Sequence, residues 1–117
     1  MIDTPPPRIL AFDHTSLAVW SVDSALPLYR DALGGVELGR GHSPRFGLHW
    51  LALRYPNGSV LELVEPDAAD SRLARYLDEH GEGLHHITFL AERASASAAD
   101  LKARGFRVVD EDYSVPA

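Results

Sequence analysis

The alternation of apolar and polar positions divides the chain into short strands separated by helices. From Ile9 to Val19 the side chains fall on two sides, with His14, Ser16 and Ala18 on one and Thr15, Leu17 and Val19 on the other. The first side is small and polar, suited to a cavity. Val22, Ala25, Leu26, Tyr29 and Leu33 then recur at helical spacing, with Ser21 or Asp23 as the N-cap and Gly34-Gly35 as the stop. Pro27 fits that helix only near its first turn, because it lacks an N–H. Val36-Glu37-Leu38 reads as a strand, residues 39–46 as a loop rich in Gly, Ser, Pro and Arg, and Leu48 to Tyr55 as another strand. Pro56-Asn57-Gly58-Ser59 is a turn signal, so the run from Val60 to Glu65 is expected to return antiparallel to its predecessor.

In that returning strand Leu61 and Leu63 share one side, which leaves Glu62 on the other with Val60 and Val64. A carboxylate among valines needs a partner or a metal. Asp70 or Ser71 opens a second helix with Leu73, Tyr76, Leu77 and His80 along one side, and Gly81 closes it. Gly83-Leu84-His85-His86-Ile87-Thr88-Phe89-Leu90 is again strand-like, followed by an alanine-rich helix from about Ala94 to Arg104 and a further strand over Phe106 to Asp110. Strand, helix and strand have begun a second time. His86 stands 72 positions after His14 (86 − 14), and superposing the two starts matches Asp13 with His85 and His14 with His86. One side then carries His14, Ser16 and Ala18 beside His86, Thr88 and Leu90, and the other carries Leu17 and Val19 beside Ile87 and Phe89. The apolar side is expected to pack under helices and the polar one to line a cup.

Composition narrows the function classes. A chain of 117 residues with 45% hydrophobic content is read as one globular domain with a real core. The net charge is −6 and there is no basic cluster, which argues against nucleic acid or an anionic membrane as a partner. No apolar run approaches a membrane span, and the proline-rich start, residues 1–8, reads as a flexible tail without the apolar core of a signal peptide. The absence of cysteine removes disulfides and thiolate chemistry and fits a cytoplasmic location.

Four stretches carry a resemblance: Asp13-His14 with Leu17-Ala18-Val19; Leu28-Tyr29-Arg30-Asp31-Ala32-Leu33-Gly34; Leu61-Glu62-Leu63-Val64-Glu65-Pro66; and Ser71 through Gly81-Glu82-Gly83-Leu84-His85-His86-Ile87. On these the chain resembles the vicinal-oxygen-chelate (glyoxalase-like) superfamily, and within it the methylmalonyl-CoA epimerases. The Gly81 to Ile87 stretch is the most specific of them.

The resemblance implies an α+β fold of paired βαβββ modules that form a cup-shaped mixed sheet. Module one would span residues 9–66, a linking helix 67–81 and module two 82–117, together one glyoxalase-like domain over 9–117. On this resemblance module two would be incomplete at its C-terminus, and a fourth ligand, a glutamate on its last strand, would fall beyond Ala117. Carried over residue by residue, the metal ligands are His14, Glu62 and His86. Two imidazoles and a carboxylate suit a divalent ion such as Co, Mn, Ni, Zn or Fe. The implied activity is that of a metal-dependent isomerase or epimerase acting on an acyl-CoA or related carbonyl compound through a metal-stabilised enolate, in a homodimer. The alternatives are another metal-dependent lyase or dioxygenase of the superfamily, or a non-catalytic, antibiotic-sequestering protein that binds a small molecule. Where the epimerases carry a catalytic glutamate, this chain reads His42-Ser43-Pro44-Arg45-Phe46-Gly47-Leu48-His49, which leaves His42 and His49 as candidates for proton transfer.

Overall fold

Five strands and three helices are joined by tight glycine turns in the computed structural model, which describes residues 8–109. The order is β1 (Ile9–Ala18), α1 (Val22–Leu26), a wide helical segment (Pro27–Ala32), β2 (Val36–Ser43), β3 (Leu48–Arg54), β4 (Val60–Pro66), α2 (Arg72–His80), β5 (Gly83–Ala91) and α3 (Ala94–Ala103). The strands form one mixed sheet in the order β2-β3-β4-β1-β5. β2, β3 and β4 are antiparallel neighbours, and β1 lies parallel to β4. The expected tail lies outside the described residues except for Arg8.

Contacts divide the chain into two compact units, Asp13–Thr88 and a second drawn from the residues on either side of it. In the second unit Phe12 and Phe89 meet edge to face with ring centroids 5.7 Å apart, and the Glu92 N–H donates to the Arg8 carbonyl at 2.9 Å. Its helix α3 has no buried residue. The expected strand over Phe106 to Asp110 is not formed by its described residues: the Phe106 N–H donates to the Leu101 carbonyl and so completes the end of α3. Asp110 lies outside the described residues.

Within Asp13–Thr88 the first helix shows what Pro27 does. Ser21 caps α1, its hydroxyl accepting from the Ser24 N–H. Pro27 then sits after α1, beyond the first turn, where it removes one rung of the helical ladder. The chain widens until the Leu33 N–H bonds the Leu28 carbonyl five residues back at 2.9 Å. Val22 and Leu26 pack with Val19, Leu51, Leu53 and Leu63, the core on one face of the sheet.

Residues 39–43, expected as loop, continue β2. Gly41 pairs with Trp50 and His42 with His49, and a register irregularity lies between Glu37 and Gly39. The glycines that suggest a loop make room for an aromatic ring: a Cβ on Gly41 would come within 2.8 Å of the Trp50 indole.

The other face of the sheet has its own core. Ala18, Val64, Leu73 and Leu77 pack there with Leu48, Trp50 and Tyr76, so α2 covers the Ala18–Val64 end of the face that also carries His14, Ser16 and Glu62. This corrects the expectation that helices pack only on the opposite side. The stripe Leu73, Ala74 and Leu77 requires burial, and Ala18 with Val64 offers it apolar surface. Ser71 caps α2 by accepting from the Ala74 N–H, and Gly81 ends it at a φ of 76° that favours glycine. Ile87 is half exposed.

Candidate metal centre

Two parallel strands and the one after α2 supply the candidate ligands. Ser16 on β1 is in register with Glu62 on β4, so His14, two residues before Ser16, projects from the same face as Glu62. His86 on β5 reaches the same place: one ligand atom each from His14, Glu62 and His86 lie within 4.8 Å of one another. All three residues belong to the unit Asp13–Thr88. His14 Nε2 stands 3.8 Å from Glu62 Oε1, and the His14 and His86 rings meet edge to face with centroids 6.2 Å apart.

Neighbouring groups hold each candidate ligand. The Ser16 hydroxyl, fully buried, donates to Glu62 Oε1 at 2.8 Å. Asp13 Oδ2 lies 2.8 Å from His14 Nδ1, and His85 Nδ1 lies 2.8 Å from His86 Nδ1. His85 touches His86 in this way and also meets Tyr76 of α2 edge-on at 4.7 Å. Loss of hydration pushes the His86 imidazole below its ordinary pKa; Glu62 opposes that shift and His14 adds to it. His85 is lowered in the same way, first by loss of hydration and then by His86, against the pull of Glu62. Both rings therefore favour the neutral form, the form that ligates metals.

The donor set fits a divalent cation. Two imidazole nitrogens and one carboxylate oxygen suit a first-row transition ion or zinc. Metal–ligand bonds of about 2.0–2.2 Å place adjacent donors roughly 3 Å apart, so the 3.8 Å between His14 Nε2 and Glu62 Oε1 asks for only a small approach.

The structure does not bring His42 and His49 to this group. His49 is in register with Glu65 and Leu51 with Leu63, whereas Glu62 is opposite Ala52. Strand alternation thus puts His49, and His42 paired with it, on the α1 face, the reverse of the one bearing His14 and Glu62. There His42 Nε2 meets Asp67 Oδ2 at 2.9 Å and the His42 and His49 rings lie 4.4 Å apart. Glu65, which reads as a solvated strand end, caps α1 by accepting the Val22 N–H at 3.2 Å. Asp13 and Ser16 are the site-shaping residues that the sequence left without a role. Their signal was position alone, one residue before and two residues after His14.

The profile of the Glyoxalase/Bleomycin resistance protein/Dioxygenase superfamily matches residues 13–117. The uncharacterized protein YqjC of Bacillus subtilis is 33% identical over 99 residues, spanning 84% of this chain and 69% of that protein. The mitochondrial methylmalonyl-CoA epimerase of Mus musculus is 25% identical over 115 residues, spanning 97% of this chain and 64% of that enzyme. The chain thus covers less than two thirds of the mouse enzyme's length. Among solved structures, a variant of Streptomyces coelicolor methylmalonyl-CoA epimerase in complex with 2-nitronate-propionyl-CoA superposes with a TM-score of 0.80 at 29% identity, over 89% of this chain and 78% of that one.

Proposed function

Because the chain belongs to the Glyoxalase/Bleomycin resistance protein/Dioxygenase superfamily, we propose that it is an epimerase-like isomerase that moves a proton next to the carbonyl of an acyl-CoA or a related compound. The observation that carries this reading is the convergence of His14, Glu62 and His86 on one face of the sheet, with ligand atoms within 4.8 Å. Those residues would hold a divalent cation, and a bound cation supplies positive charge beside the substrate oxygen where negative charge develops as the proton leaves. The chain's own groups preset that site. Ser16 orients the Glu62 carboxylate, Asp13 and His85 orient the imidazoles, and α2 shields one end of the face from water. The similarity to methylmalonyl-CoA epimerases supports an acyl-CoA as substrate. In this reading residues 9–117 act as one glyoxalase-like domain of a cytoplasmic homodimer.

Incubating the cobalt-loaded protein with methylmalonyl-CoA in heavy water tests the activity. One deuteron is expected to enter the carbon next to the thioester, detected by mass spectrometry. Loaded protein that leaves the substrate unlabelled would rule the reading out.

A second reading rests on the same donor set, since two histidines and one carboxylate with open positions also serve iron-dependent oxygenases. Iron retained through purification, with oxygen consumed on adding a catechol-like compound, would favour it.

A further inference from the structure

The two candidate ligand histidines share a feature beyond their position: each has its Nδ1 engaged by the residue immediately before it. Asp13 Oδ2 is 2.8 Å from His14 Nδ1, and His85 Nδ1 is 2.8 Å from His86 Nδ1. Consecutive side chains of an extended strand point to opposite faces, so a contact between neighbours is not the default. Here it occurs twice, at positions that superpose when His14 is matched to His86.

We infer that Asp13 and His85 are matched positioning residues, which hold His14 and His86 in the tautomer that leaves Nε2 free to bind a cation. The inference rests on the metal-centre reading above.

The chemistry of each pair limits where the proton can sit. With the Asp13 oxygen accepting, His14 Nδ1 carries the hydrogen of that bond. In the Nδ1–H tautomer the ring's lone pair sits on Nε2, the atom 3.8 Å from Glu62 Oε1. Two acceptor atoms therefore face each other, an arrangement that a cation between them relieves. In the second pair one imidazole nitrogen donates and the other accepts. If His85 were the donor, His86 would accept at Nδ1 and carry its proton on Nε2, and neither nitrogen could ligate. Only with His86 donating does its Nε2 keep a lone pair. His85 is itself held against the edge of Tyr76, whose hydroxyl donates to the Leu84 carbonyl at 2.9 Å. Helix α2 thereby fixes the ring that fixes His86. Partners of this kind hold ring orientation and raise ligand basicity, and their loss typically lowers metal affinity by about 10–100-fold.

The test uses two readouts on the full chain, with circular dichroism confirming that each variant folds. Two-bond proton–nitrogen correlation spectra of the metal-free, histidine-labelled protein near neutral pH report which nitrogen carries the hydrogen. Calorimetric titration with cobalt(II) chloride reports affinity. In the wild type both His14 and His86 should be the Nδ1–H tautomer. Asp13→Leu should release His14, and His85→Phe, which keeps a ring against Tyr76, should release His86. Each should weaken cobalt binding by about 10–100-fold. Asp13→Asn and His85→Gln, which retain an acceptor, should restore much of the loss. Nε2–H rings in the wild type, or unchanged tautomers and affinity in Asp13→Leu and His85→Phe, overturn the inference. A wild type that does not bind cobalt overturns the metal-centre reading instead, while the metal-free spectra still decide the tautomers.

Discussion

Tyr55 shows how a single hydroxyl fastens the wide helical segment to the sheet. Its OH donates to the Tyr29 carbonyl at 2.6 Å, and its ring packs against the core under α1. Gly35 is shaped to this contact, since a Cβ there would lie 2.9 Å from the Tyr29 carbonyl oxygen and 3.1 Å from the Tyr55 ring. Burial raises the Tyr55 phenol above its ordinary value of 10.0. A group whose folded pKa is raised contributes its stability below the unfolded value and loses it as pH rises through the folded one. Tyr55→Phe should therefore cost about 0.5–1.5 kcal/mol near neutral pH in urea unfolding. The gap between wild type and variant should close as pH rises above about 10. A gap that stays constant or widens there would contradict this account.

At the same scale, the candidate ligand residues stood out in the sequence because each breaks a local pattern. His14 and His86 interrupt strands at matching places, and Glu62 is a charge among valines. Their supporting residues were not legible. A serine on a polar strand side has no reason to be singled out until register brings it to within 2.8 Å of Glu62. His42 and His49 show the converse. Their chemistry suits proton transfer, but the parity of β3 sends them to the α1 face.

At the scale of elements, spacing and caps located the helices and most strands, and two departures have physical causes. Glycines in 39–43 suggest a loop, yet they relieve crowding under Trp50. The strand pairing that keeps them in β2 comes from the adjacent β3 across a hairpin, a register that composition alone does not show. Helix α2 was visible as an amphipathic stripe, but amphipathicity gives the side to be buried and not the surface that buries it. That surface is the site face. Leu77 is 2% exposed there, packed with Ala18, Val64 and Leu73. Leu77→Ala should cost about 2–5 kcal/mol of stability, measured by denaturant unfolding. Because α2 carries the Tyr76 that seats His85, the variant should also bind cobalt more weakly than wild type under conditions where it remains folded. Destabilisation without any change in cobalt affinity would separate α2 from the site.

For the molecule as a whole, the mixed sheet follows from the strand–helix–strand start: the crossover through α1 and the β2–β3 hairpin returns β4 to lie parallel beside β1. That juxtaposition puts a histidine and a glutamate from residues 48 apart (62 − 14) on one face. What covers the outer apolar positions was not readable from alternation, which assigns sides without naming neighbours. Ile9, Leu10, Phe12, Leu84 and Phe89 are all at least half exposed. Among the described residues no helix is long and apolar enough to cross a membrane. The central claim is that His14, Glu62 and His86 together hold one divalent ion, and cobalt(II) titration by calorimetry tests it most directly. The account predicts one ion bound per chain by the wild type, with binding lost or strongly weakened in His14→Ala, Glu62→Gln and His86→Ala. A wild type that binds no ion, or variants that bind as the wild type does, would contradict it.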